Sequence, residues 1–110
     1  MLWPGRNLVL LSLAAALAQQ VGAGEVMIGA NADDHEGYPD CRPAFFAAAA
    51  PALGVRVVAP LVELTKPEVG RMARELAVPW RETWSCYFPR AKGEPCERCD
   101  ACVGRARALA

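Results

Sequence analysis

The 110-residue sequence has no net charge: twelve lysines and arginines are balanced by twelve aspartates and glutamates. That balance argues against a broad phosphate-binding groove, so a nucleic-acid partner is not expected. There is no even set of cysteines. Five are present, which suits a disulfide framework poorly and suits four ligands plus one free thiol in a reducing compartment better. There is also no apolar run long enough for a bilayer. The segment Leu8 to Val21, roughly 14 residues, makes a helix of about 21 Å, short of a membrane core. Internal repeats, low-complexity tracts and linkers are missing too, and with 54% hydrophobic and 22% charged residues the chain reads as one small globular domain.

The cysteines that are present set the main constraint. Cys86, Cys96, Cys99 and Cys102 follow a C-x9-C-x2-C-x2-C spacing. A C-x2-C pair aims two sulfurs at one point, a third cysteine extends the grip, and one from a preceding loop closes a tetrahedron. Four thiolates at about 2.3 Å make the closed structural site that zinc prefers. Gly93 and Pro95 supply the turn that brings Cys86 over the later three. Arg90, Lys92, Arg98 and Arg105 are candidate cationic neighbours. An iron–sulfur cluster is the rival, but no fourth cysteine followed by proline comes after Cys102.

Arg6 followed by LVLLSLAAALA also has the look of a secretory leader. A helix is preferred, because Pro4, Gly5 and Asn7 form a capped start and Gly22 to Gly24 a stop. This first helix, Leu8 to Val21, is apolar nearly all round and is expected to be sandwiched in the interior. Strands are expected at Glu25 to Ala30 and Arg56 to Ala59, with a helix between them from Pro43 to Leu53 whose last turn Pro51 weakens. Thr65 and Glu68 form a capping box for a third helix, with Val69, Met72, Ala73 and Leu76 facing the core. A short helix from Asp100 to Leu109 follows the cysteines. The expected architecture is α/β, part of a parallel sheet with flanking helices. Two strands make a poor sheet, so the single domain is expected to be incomplete, with an α/β part over 1–83 and a metal-binding tail over 84–110.

Between the first strand and the second helix lies NADDHEGYPDCR, residues 31–42. Loops leaving the carboxyl ends of parallel strands are where open α/β sheets bind ligands. Asp34 and Asp40 can accept from a heterocycle's N–H groups, Tyr38 can stack, and Arg42 can pair with a carboxylate or phosphate. Spacing alone is better served by a solvated, turn-making loop. His35, the sole histidine, reads as a surface residue. Cys41 is either a packing residue or a reactive thiol.

Three motifs taken together, PGRN at 4–7, GANADDHEGYPDCRP at 29–43 and TWSCY…CERCDAC over 83–102, resemble the 7-cyano-7-deazaguanine synthases of queuosine biosynthesis. The resemblance implies a Rossmann-like sheet of the adenine-nucleotide alpha-hydrolase type. It further implies ATP-dependent conversion of 7-carboxy-7-deazaguanine and ammonia to the nitrile. It assigns Cys86, Cys96, Cys99 and Cys102 to one structural Zn2+ per chain. It places Asn31, Asp34, Tyr38, Asp40 and Arg42 at the small-molecule substrate, Arg6 and Asn7 at an anion, and Lys66 at charge on an acyl-adenylate. The family's S-G-G-x-D-S nucleotide loop is absent from these 110 residues. ATP with Mg2+ is therefore expected only of a complete enzyme, and the chain is expected to be inactive alone. It is read as a fragment, a split gene product or a decayed copy, working in the cytoplasm as a homodimer or with an N-terminal partner chain that supplies the loop. A small structural-zinc interaction module, and a secreted disulfide protein, are the alternative readings.

Overall fold

The computed structural model describes residues 3–110, which separate into two compact units, one running to Leu64 and the other Thr65–Ala110. The first unit contains the parallel strand pair. Helix α1 (Arg6–Val21) leads to strand β1 (Glu25–Met27), then the 31–42 loop, helix α2 (Pro43–Leu53) and strand β2 (Arg56–Val58). β1 and β2 pair in parallel, with Glu25 opposite Arg56, Val26 opposite Val57 and Met27 opposite Val58. The first of these pairs carries an ion pair of 3.2 Å on the exposed side. The strands are shorter than the apolar runs in the sequence, although Ile28 N–H still donates to Val58 O at 2.9 Å. The α/β expectation and the parallel pairing are met.

Each helix of this unit ends where its sequence stops it. Gly22 and Gly54 take left-handed conformations (φ +77° and +69°) that close α1 and α2, a position where a Cβ would be strained. Gln19 Nε2 donates to Leu53 O at 2.7 Å, meeting one of the carbonyls that the end of α2 leaves open. Pro51 does not shorten α2, which runs on to Leu53. Leu11, Ala15 and Ala18 of α1 pack with Val26, Phe46 and Val55 as the buried core.

Burial of α1 differs from the expectation. Asn7, Leu11, Ala15 and Ala18 form one buried stripe, while Leu10, Leu13, Leu17 and Val21 are exposed. Two short strands and one further helix have only enough surface to cover one side. No helix among the described residues is long and apolar enough to cross a membrane.

The second unit contains α3 (Lys66–Glu75) and α4 (Asp100–Leu109), with the cysteine segment between them. Thr65 caps α3 as its sequence indicates: Glu68 Oε2 accepts from Thr65 N at 2.7 Å and from Thr65 Oγ1 at 2.8 Å. Met72 and Leu76, expected in the core, are exposed, and Gly70 is the buried residue of α3. The cause is a close helix crossing. A Cβ on Gly70 would clash with Ala108 O, so α4 occupies the space that a side chain would need. Arg74 of α3 reaches the end of α4, donating to Leu109 O at 2.7 Å and Ala110 O at 3.2 Å. α3 thus belongs to the same compact unit as the cysteines.

The crossing gives opposite predictions for two glycines. Gly70→Ala is expected to destabilise the chain by roughly 2 kcal/mol, because the overpacking cost exceeds the gain in helix propensity. Gly104→Ala is expected to be neutral or slightly stabilising, since its Cβ would meet only the flexible Lys66 side chain, at 3.4 Å. Thermal unfolding of the two variants checks both signs.

Candidate functional site

In the second unit the cysteine segment folds back through a turn in which Lys92 and Gly93 are both left-handed (φ +73° and +75°). Arg90 N–H donates to Glu94 O at 2.8 Å across it. This returns Cys86 to the later three cysteines. The four sulfurs all lie within 4.8 Å of one another, with Cys86, Cys96 and Cys102 buried and Cys99 half-buried. A tetrahedron with arms of about 2.3 Å has edges of about 3.8 Å. The donor set therefore fits a metal ion with modest contraction, and zinc is consistent with four thiolates. All four are free of disulfides.

The charge on these sulfurs is met chiefly by main-chain N–H groups. Cys96 N–H donates to Cys86 Sγ at 3.2 Å, and Cys99 N–H to Cys96 Sγ at 3.3 Å. The main-chain N–H of Arg98, followed by that of Cys99, lowers the Cys96 pKa, and the N–H groups of Tyr87 and Cys102 lower Cys99 to about 6. Burial, more than its thiol neighbours, pushes Cys102 up to about 12. Cys99 also stands at the N-cap of α4, where helix N–H groups favour thiolate. Of the arginines expected to balance the charge, Arg90 donates to Cys96 O at 3.0 Å and Glu97 Oε2 at 3.3 Å. Arg105 is engaged elsewhere, bonding Trp80 O, Thr83 Oγ1 and Ser85 Oγ and so tying residues 80–85 to α4. Trp84 Nε1 donates to Cys86 O at 2.8 Å.

In the first unit the polar loop is held to the start of α1. The sequence reading makes Asn7 a cap and an anion contact. Gly5 holds the N-cap position, and Asn7 engages a carboxylate of the same unit. Asn7 N–H donates to Asp40 Oδ2 at 2.9 Å, Asn7 Nδ2 donates to Asp40 O at 2.9 Å, and the same Nδ2 lies 3.3 Å from Cys41 Sγ. Asn7 and Asp40 are 9% and 7% exposed, so this contact joins two buried polar residues 33 positions apart. A carboxylate at a helix N-terminus also gains from the helix dipole.

Within the loop, Asn31 and Asp34 form a second closed set. Asn31 Oδ1 accepts from Asp33 N at 3.2 Å, and Asn31 Nδ2 donates to Asp34 Oδ2 at 2.8 Å. Tyr38 N–H donates to Asp34 O at 2.9 Å, and Arg42 Nε to His35 O at 2.7 Å. The structure thus brings Asn7, Asn31, Asp34, Tyr38, Asp40 and Arg42 into one bonded loop. Arg6 lies exposed at the first position of α1. Lys66 opens α3 in the other unit, its stem over Gly104. His35, read from sequence as a surface residue, is half-buried.

The family model described as queuosine biosynthesis protein QueC matches residues 1–110. Curated relatives named 7-cyano-7-deazaguanine synthase include that of Anaeromyxobacter sp. (strain Fw109-5), 48% identical over 97% of this chain and 50% of the relative. Those of Picrophilus torridus and Thermoplasma acidophilum are each 44% identical over 93% of this chain and 46% of the relative. The chain spans about half the length of the curated relatives it matches.

The loop geometry bears on Cys41. Burial first, then the negative charges of Asp34 and Asp40, raises its pKa against the opposing pull of Asn7 and Arg6. The thiol is therefore protonated at neutral pH, and the thiolate needed for alkylation forms only as pH rises through the raised value. Iodoacetamide labelling of Cys41, followed by peptide mass, is expected to rise with a pH midpoint above that of an unburied cysteine. A midpoint at or below that of a free thiol contradicts this geometry.

Proposed function

The chain belongs to the QueC family of queuosine biosynthesis proteins, and on that footing we propose that it is the substrate-loop and metal-binding part of a 7-cyano-7-deazaguanine synthase. The reaction in this proposal is ATP-dependent conversion of 7-carboxy-7-deazaguanine and ammonia to the nitrile. The observation that carries it is the coincidence, in one chain, of the bonded 31–42 loop and the four-cysteine cluster, alongside relatives that bear that name.

The cysteines hold a structural zinc ion in this reading. Four thiolates leave no open position for water, so the ion orders the fold and takes no part in the chemistry. Asn31, Asp34, Tyr38, Asp40 and Arg42 shape the pocket for the deazaguanine, and Asn7 acts on that pocket through Asp40. Arg6, at the start of α1 in the same unit as the loop, contributes positive charge toward an anion there. Reduced thiols at the metal site support a cytoplasmic setting.

The nucleotide is bound by another part of the enzyme. Residues 1–110 contain no serine- and glycine-rich turn that could cradle ATP phosphates with main-chain N–H groups. A half carrying that loop, with ATP and Mg2+, completes the enzyme. The uncovered Leu10, Leu13, Leu17 and Val21 stripe of α1 supports a further protein surface there, since such a stripe is costly to leave in water.

A chimera provides the test. The chain is substituted for the matching half of the Anaeromyxobacter sp. relative and supplied with 7-carboxy-7-deazaguanine, ammonia and MgATP. The chimera is expected to yield the nitrile, detected by mass spectrometry, and the isolated chain none. Steady nitrile formation by the 110-residue chain alone, or a folded chimera that forms none, overturns the proposal.

A further inference from the structure

The loop's polar groups are largely committed to one another, and the exception is specific. Asp40 is engaged by Asn7, Asn31 by Asp33 and Asp34, and Arg42 Nε by the His35 carbonyl. Both main-chain groups of His35 are also used: its N–H donates to Ala32 O at 3.2 Å and its carbonyl accepts from Arg42 at 2.7 Å. The backbone that carries the imidazole is thus fixed at both ends. Yet His35 Nε2 is buried with no hydrogen-bond partner, the one side-chain nitrogen or oxygen of this kind among the described residues.

A buried hydrogen-bonding atom left unmet loses its hydration without compensation, and native folds seldom leave one so. The atom belongs to the loop that follows the carboxyl end of β1, where ligands bind in open parallel sheets. We propose that His35 is a substrate-contacting, specificity-determining residue, its Nε2 hydrogen-bonding an edge group of a planar nitrogen heterocycle of the deazaguanine class. The proposal rests on the synthase reading and adds to it a residue to which the family resemblance assigns no role. It also divides the loop by role: Asn7, Asn31, Asp34 and Asp40 hold its shape, and His35 reads the ligand.

Because His35 is the sole histidine, its ring gives a single imidazole signal by nitrogen-detected NMR. The full chain, loaded with zinc, is titrated with 7-carboxy-7-deazaguanine. The Nε2 resonance is expected to move as the ligand saturates. His35→Ala is expected to bind about tenfold more weakly, the loss of roughly one hydrogen bond, and His35→Gln to recover part of that through its side-chain amide. Both variants are compared at equal metal content and equal far-ultraviolet dichroism, which separates a lost contact from a lost fold. Unchanged affinity in His35→Ala, an immobile ring signal at saturation, or no binding by the unaltered chain overturns the assignment. Nitrile formation by the chimera tests the synthase reading independently, so the two ideas fail separately.

Discussion

Four sulfurs within 4.8 Å of one another are the constraint on which the second unit depends. Its buried residues are Gly70, Cys86, Cys96 and Cys102, while Met72, Leu76, Trp84, Phe88 and Val103 lie exposed. A segment with so little buried apolar surface cannot offset its chain entropy by hydrophobic burial alone. Four thiolates without a cation would repel, and four thiols would each be buried with weak partners. An ion at the centre removes both costs, so in this account metal affinity is folding free energy for the segment. The left-handed turn at Lys92 and Gly93, the N–H groups aimed at sulfur and the start of α4 all serve the same closure.

The first unit is organised by a different contact. Asp40 Oδ2 accepts from the Asn7 N–H in the first turn of α1 from 33 residues away, and the Asn7 side chain donates back to the Asp40 carbonyl, so the 31–42 loop and the first helix are bonded into one corner. Both residues are buried, and removing either would leave the other's polar groups unmet, a loss of about 1–3 kcal/mol. Of the polar residues that make the loop look reactive in sequence, Asn31 and Asp40 are buried, Asp34, His35 and Tyr38 half-buried, and Asp33, Glu36 and Arg42 exposed.

Much of the architecture is legible in the sequence because it is local. The glycine stops of α1 and α2, the Thr65–Glu68 box and the C-x2-C-x2-C spacing each act within a few residues, and each forms as its chemistry dictates. What sequence reading misses is non-local. Asn7 reads as a helix cap because its true partner lies 33 positions on. Met72 and Leu76 have core spacing, yet the α3–α4 crossing is made through Gly70, a residue with no side chain to announce it. A mid-helix glycine with another at Gly104 was the available signal for close packing. For His35 the signal was weaker still, since only the loop's internal bonding shows that its ring is left unmet.

The most direct test of this account is native mass spectrometry of the chain purified under reducing conditions, with elemental analysis alongside. The account predicts one zinc per chain, lost in Cys86→Ser together with the ordered structure of residues 65–110. A metal-free chain with the same ordered structure, paired cysteines, or iron with inorganic sulfide would contradict it.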